Sequence, residues 1–258
     1  MTDGKVDPFY PHYFMRRDEN DDRLFYLLPR LVVHIDDQAV VAVGELFKEV
    51  FYSISSSTSH EMLPVAQGEQ SILDLMSSWR SHWPVLPIVD TQRSVEWQDL
   101  QECHARSYSK KMIGLGLNSA EMGGNPDLDD YVVHDVNNDP RLPFDECTFD
   151  GVVITVSIQY LTRPIQVFRD VNRILKPGGV FLVIFSDRMF FTKAVMIWTS
   201  SNDQQRMELV ASYFRHAGNF VDIRGMCRNP HRFPSDDPIY VVMARKPVTS
   251  LDIEWPRE

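Results

Sequence analysis

The sequence predicts an α/β fold, a doubly wound and mostly parallel sheet with helices on both faces. Three observations carry that expectation. From residue 71 onward, short apolar runs alternate with stretches of helical period, the pattern of βαβ units. One run, Val180–Phe185, has six hydrophobic residues in succession, as in a strand covered on both faces. Finally, Lys176-Pro177-Gly178-Gly179 stops the clearest helix in the chain abruptly.

Taken in order, the elements begin with an aromatic, proline-broken opening, Pro8-Phe9-Tyr10-Pro11-His12-Tyr13-Phe14, that reads as a packed extended arm. A helix fits Asp37 to about Ser53, with Asp36 or Asp37 as its cap and Val40, Val43, Phe47, Val50 and Phe51 on one face. The Ser- and Thr-rich stretch Ser53–Ser59 reads as a loop. Strands are expected at Ser71–Leu75, Lys111–Leu117, Tyr131–Val136, Phe149–Thr155 and Val180–Phe185. Between the last two lies the helix that Pro164 opens, with Ile165, Phe168, Val171, Ile174 and Leu175 inward. A further helix fits Asp203–Ala217, ended by Gly218, and two strands follow at Phe220–Arg224 and Ile239–Ala244. Seven strands with these helices make a three-layer sandwich over residues 71–258, and residues 1–70 form an N-terminal cap or arm packed on it.

Composition narrows the partners. A formal net charge of −10 with scattered basic residues disfavours nucleic acid. No apolar run approaches the length of a bilayer span, and the N-terminus shows no secretory pattern, so the expectation is a cytoplasmic protein without a membrane partner. Cys103, Cys147 and Cys227 are odd in number and widely spaced, and the eight histidines form no HExxH or HxH pair. No metal and no disulfide framework are expected.

Two segments carry a family resemblance. Leu142-Pro143-Phe144-Asp145-Glu146-Cys147-Thr148-Phe149-Asp150 resembles the LPF-D-x-SFD signature of type 11 S-adenosylmethionine-dependent methyltransferases. Phe168-Arg169-Asp170-Val171-Asn172-Arg173-Ile174-Leu175-Lys176-Pro177-Gly178-Gly179 is similar to that family's E-x-x-R-V-L-K-P-G-G. The resemblance covers roughly residues 70–247. It implies a class I, Rossmann-like fold whose last strand inserts antiparallel, S-adenosylmethionine as cofactor, and a small-molecule substrate. In the first motif, D-L-G-x-G-x-G in the family, this chain has Asp74-Leu75-Met76-Ser77-Ser78-Trp79-Arg80. Methyltransferase-like proteins of plants, algae and cyanobacteria resemble it in the same Ser-Ser-Trp variant.

Two readings follow from the missing glycines. In one, Ser77 and Ser78 donate to the cofactor's carboxylate and Trp79 covers it; in the other, the site has decayed and the chain is a non-catalytic binding or scaffold protein. At the end of the second strand the family's ribose-binding acid is missing, and Asn118 is the substitute, with a turn role as the alternative. Asp135 and the N–H of Val136 match the adenine position, with a cap role for Asp135 as the alternative. Ser157, Gln159 and Tyr160 close the fourth strand where the family faces its methyl group, and Gln159 or Tyr160 can orient an acceptor by hydrogen bond. His82 and His134 are further candidate bases. Asp74, Met76, Ser77, Ser78, Trp79, Asn118, Asp135, Val136 and Ser157 thus form the expected cofactor set. The aromatic arm and the segment after Phe185 suggest an apolar acceptor site.

Overall fold

The computed structural model describes residues 9–52, 69–84 and 110–248. Seven strands form one sheet in the order β3-β2-β1-β4-β5-β7-β6. They are β1 (Gln70–Leu75), β2 (Lys110–Gly116), β3 (Asp130–Val133), β4 (Phe149–Thr155), β5 (Leu175–Phe185), β6 (Val221–Cys227) and β7 (Tyr240–Arg245). The first five run parallel, and β7 lies antiparallel between β5 and β6. Strand order reverses between β1 and β4, which opens a crevice beyond their carboxyl ends.

The helices, in chain order, are α1 (Asp22–Phe25), α2 (Asp37–Phe47), α3 (Ser119–Gly123), α4 (Pro164–Ile174), α5 (Met196–Thr199) and α6 (Asp203–Ala217). Alternation of side chains explains the layers. Phe181, Val183 and Phe185 join Leu73 and Leu75 under α4 and α6. Their neighbours Val180, Leu182 and Ile184 join Ile72 and Val153 under α2 on the opposite face. Asp36 caps α2 through Ala39 N at 2.8 Å, and Asn202 opens α6 with a reciprocal capping box to Gln205.

The structure moves several element ends for local reasons. The helix expected to reach Ser53 is α-helical only to Phe47; Lys48–Tyr52 form a π turn. There Phe51 lies over Gly151, where a Cβ would come within 2.5 Å of its ring. Strand β3 ends at Val133 rather than Val136, because the carboxylate of Asp135 accepts from Asn137 N and Asn138 N and starts a turn. β5 begins at Leu175 rather than Val180: Leu175 pairs with Phe149, and Gly178, at φ 78°, donates its N–H to Lys246 O. The segment after Phe185 forms only the single helical turn α5, with Ala194, Val195 and Trp198 buried. The loop expected at Ser53–Ser59 and Cys103 lie outside the described residues.

The Leu142-Pro143-Phe144 segment also receives a physical explanation. Arg173 on α4 donates to Phe144 O (2.8 Å) and Leu142 O (3.0 Å), while Asp170 accepts from Leu142 N (2.6 Å) and pairs with Arg173 at 2.7 Å. The helix and the loop before β4 are therefore one hydrogen-bonded unit.

Candidate active site

A cavity of about 280 Å³ lies beyond the carboxyl ends of β1, β2 and β4, at the reversal of strand order. Its floor is the β1 loop. Asp74, near the end of β1, is buried, and its Oδ2 accepts from Ser77 Oγ and Ser81 Oγ, each at 2.6 Å. Burial pushes its carboxyl up to about 6 even though both hydroxyls favour the ionised form. A buried carboxylate with a raised pKa in a cleft marks a candidate functional group.

The missing glycines have a structural resolution. Met76 adopts φ 63°, the left-handed conformation that the family's first glycine would take freely. The close approach has been transferred to the neighbouring strand. A Cβ on Gly116 would lie 2.3 Å from Ser77 O, and one on Gly114 would lie 3.2 Å from Ser77 Oγ. Ser77 N donates to Leu115 O at 2.8 Å, holding the loop against β2. His82 (φ 57°) and Val156 (φ 53°) also line the cavity in the left-handed region. For a β-branched residue such as Val156 that is a strained conformation, of the kind that gathers at functional sites.

Of the residues expected to hold a cofactor, Asp74, Met76, Ser77, Ser78, Asn118, Asp135, Val136 and Ser157 all line this cavity, as does Tyr160. Trp79 and Gln159 do not. Trp79 Nε1 donates to Val32 O at 2.8 Å and its ring lies under the Arg80 guanidinium. Gln159 is fully buried; its Nε2 donates to Val156 O and Arg188 O, and its Oε1 has no hydrogen-bond partner among the described residues. The two serine hydroxyls are spent on protein carboxylates, Ser77 on Asp74 and Ser78 on Glu121 (2.6 Å). Asn118 is spent as well: Oδ1 caps α3 through Ala120 N and Glu121 N, and Nδ2 donates to Tyr26 O at 2.7 Å. Its neighbour Leu117 puts an apolar side chain into the cavity wall. Asp135 uses Oδ1 for its turn, while Oδ2 has no hydrogen-bond partner among the described residues. Tyr160 OH accepts from Phe190 N at 2.7 Å, and burial raises its pKa. His134 Nε2 bonds Asp139 O at the cavity edge.

Several lining residues carried no sequence signal. Asp22, Tyr26, Arg30 and His34 reach the cavity from the strap before α2. Arg30 lies over the rings of Phe25 (4.2 Å) and Phe190 (4.7 Å), and burial lowers the pKa of His34. His82, half-buried, is pushed down to about 4 chiefly by desolvation and so is a neutral imidazole at neutral pH. Glu121, buried on α3, joins the parts: Oε2 takes Ser78 Oγ and Oε1 takes Arg30 N at 2.7 Å. Asn137 does the same on the far side, donating to Tyr160 O and accepting from Thr162 N. The spacing of 22, 26, 30 and 34 is visible afterwards as a period of four, though the segment after Phe25 is irregular.

A parallel sheet with one inserted antiparallel strand and a crevice at its switch point defines the class I methyltransferase fold. Residues 93–183 match the family model described as a methyltransferase domain. Over 110 residues the chain is 31% identical to the ubiquinone/menaquinone biosynthesis C-methyltransferase UbiE of Bartonella tribocorum, covering 40% of this chain and 41% of that protein. Over 77 residues it is 36% identical to the UbiE of a Caulobacter species, covering 30% of this chain and 28% of that protein. It thus spans about two fifths or less of the length of these relatives. Among solved structures, the [4+2]-cyclase SpnF superposes with a TM-score of 0.51 at 15% identity, covering 86% of this chain and 89% of that one. Residues 93–183 are therefore similar in sequence to a methyltransferase domain, and the chain has a class I methyltransferase fold. The family match starts after the β1 loop, so Met76, Ser77 and Ser78 lie outside it.

Proposed function

We propose that the chain is an S-adenosylmethionine-dependent methyltransferase acting on a small molecule, working in the cytoplasm without a nucleic-acid partner. The observation that carries the proposal is the buried carboxylate of Asp74 beneath a glycine-like turn at Met76, at the switch point of the sheet. Tests of fit favour it in three places. Asp74 supplies a negative charge for an ammonium group, Asp135 Oδ2 is an open acceptor for an exocyclic amine, and the Met76 backbone has the conformation of the family's glycine. It departs in one, since Leu117 and the occupied Asn118 offer no acceptor for ribose hydroxyls; Glu121, three residues beyond Asn118, is a carboxylate lining the same cavity.

When bound, the cofactor would supply an electrophilic methyl group for in-line displacement. The chain's own part is alignment and exclusion of water. Asp74 and Asp135 would fix the two ends of the cofactor. Tyr160, held by Phe190 N, and the rings of Tyr26 and Phe190 would wall an apolar acceptor. Neutral His34 and His82 would accept a proton where the acceptor is a poor nucleophile. Residues 1–70 would serve as a cap, a reading supported by the four lining residues of the strap.

A second reading, a non-catalytic binding or scaffold protein, is favoured by one observation: Met76 and Arg80 both face the cavity that the cofactor's methionine end would fill. Calorimetric titration with S-adenosylhomocysteine separates the two. Saturable binding that Asp135→Asn weakens supports the enzyme; no binding at any soluble concentration removes the methyltransferase reading.

A further inference from the structure

Three arginines line the cavity, and they differ in what meets their charge. Arg188 pairs with Asp237 at 2.6 Å. Arg80 is exposed and lies over the Trp79 ring in the β1 loop. Arg30 is half-buried and makes no ion pair among the described residues, in a chain with 36 acidic and 26 basic residues. Its side chain donates from Nη2 to Phe25 O at 3.3 Å, which leaves Nε and Nη1 without an acceptor among those residues. The carboxylates around it are engaged elsewhere. Asp22 is held by Arg16 and Lys193, Asp74 by Ser77 and Ser81, and Glu121 by Ser78 Oγ and the backbone N–H of Arg30 itself. A partly desolvated guanidinium without a counter-charge costs free energy, so its place in the wall points to a ligand that brings the charge.

Packing fixes how that charge is offered. The guanidinium carbon sits in the notch between Phe25 and Phe190, 4.2 and 4.7 Å from the centroids of two rings that meet edge to face. The rings hold the side chain and leave its N–H edge as the free part. The main chain is held as well, by Glu121 Oε1 at 2.7 Å. Much of the ordering cost is therefore met before any ligand arrives. Burial raises the pKa of Tyr26 and Tyr160 and lowers that of His34. The charge of Arg30 acts on all three, opposing the rise of the tyrosines and adding to the fall of the histidine. The guanidinium thus lies within electrostatic reach of three groups that line the cavity.

We propose that Arg30 is a specificity-determining residue, whose guanidinium receives a carboxylate or phosphate group of a small molecule packed against Tyr26, Tyr160 and Phe190. The planar fork of an arginine suits both anions, because each can accept two parallel N–H bonds. Calling that molecule the methyl acceptor rests on the proposed function; the anion seat rests on the surroundings of Arg30. The competing anion is the cofactor's own carboxylate, but the methionine end belongs beside Met76 and Arg80 in the β1 loop.

The test is titration of the full chain, with and without S-adenosylhomocysteine, by benzoate, phenyl phosphate and the neutral isostere benzamide, followed by saturation-transfer nuclear magnetic resonance. One or both anions should bind about tenfold or more tightly than benzamide, the difference a hydrogen bond to a charged group makes. Arg30→Gln keeps the backbone bond to Glu121 and a donor for Phe25 O, and should abolish the preference for the anion. Arg30→Lys keeps the charge without the fork and should retain part of it; it carries the test if the glutamine variant melts early by circular dichroism. Equal binding of benzoate, phenyl phosphate and benzamide overturns the proposal, as does no binding of either anion, or a preference undiminished in both variants. So does an Arg30→Gln chain that loses S-adenosylhomocysteine while keeping benzoate, which assigns Arg30 to the cofactor's carboxylate. Benzoate binding through Arg30 in a chain that binds no S-adenosylhomocysteine overturns the methyltransferase reading instead and leaves the anion seat standing.

Discussion

Replacing Asp74 by asparagine keeps the shape of the side chain and the oxygen that Ser77 and Ser81 bond, while removing a buried charge. In the fold the Asp74 carboxyl is raised from 3.8 to about 6, chiefly by burial. A raised carboxyl stabilises the fold when protonated. That contribution is fully present below pH 3.8 and is lost as pH rises through about 6. Two pKa units correspond to about 3 kcal/mol, which at neutral pH the native chain forgoes by keeping the group ionised. Asp74→Asn should therefore be more stable at pH 7.5 by up to about 3 kcal/mol, or about 5–10 °C in melting temperature. The gain should shrink toward zero between pH 6 and 4. Thermal melts by circular dichroism over pH 4.5–8 measure it. If Asp74 also holds an ammonium group, the same variant should bind S-adenosylhomocysteine at least about tenfold more weakly, the range for a lost hydrogen bond to a charged group. Stability and affinity would then move in opposite directions, the usual relation at a functional site. A variant less stable at pH 7.5, or offset by the same amount at every pH, would refute the assignment of a strained buried charge.

Three other outcomes follow from the same geometry. Met76→Gly relieves a left-handed conformation worth about 1–2 kcal/mol but loses partial packing and gains chain entropy, so its melting temperature should change little; calorimetry should show tighter S-adenosylhomocysteine binding, because a side chain leaves the cavity. Asp135→Asn retains an acceptor for Asn137 N and Asn138 N yet turns the open oxygen into a donor, so affinity should fall by about 1–3 kcal/mol with an unchanged melt; Asp135→Ala, which also removes the turn cap, should lower the melting temperature too. Glu121→Ala releases Arg30 N and Ser78 Oγ, costing about 2–4 kcal/mol, and should speed tryptic cleavage after Arg30 in limited proteolysis; unchanged cleavage would mean that Glu121 does not hold the strap.

Much of the fold was legible because its signals are local. Short apolar runs, the cap at Asp36, Gly218 just past α6 and the stop at Lys176–Gly179 are each written within a few residues, and the described helices and strands follow them closely. Asp74, Asp135 and Tyr160 could be placed at the cavity because the resemblance to the methyltransferase motifs sets them next to the carboxyl ends of parallel strands, where the crevice opens. What each of those residues does there is another matter. Ser77 and Ser78 looked like ligand donors, but their partners are Asp74 and Glu121, and the latter sits 43 residues away. Asn118 looked like a ribose acceptor, yet it caps α3 and holds Tyr26, 92 residues back in the chain.

The sequence by itself determined the layers of the sheet, the order of its elements and the position of the crevice, because hydrophobic period and capping act over one or two turns of chain. Only the tertiary structure decided how a loop without glycines closes: Met76 accepts the left-handed turn, and Gly114 and Gly116 on the adjacent strand clear the space. It also decided that a strap 36 to 48 residues before β1 supplies a wall of the cavity and exposes several of its apolar side chains. Close approach between backbones, and the pairing of polar side chains, depend on which distant segments meet, and no local pattern in the chain records that meeting.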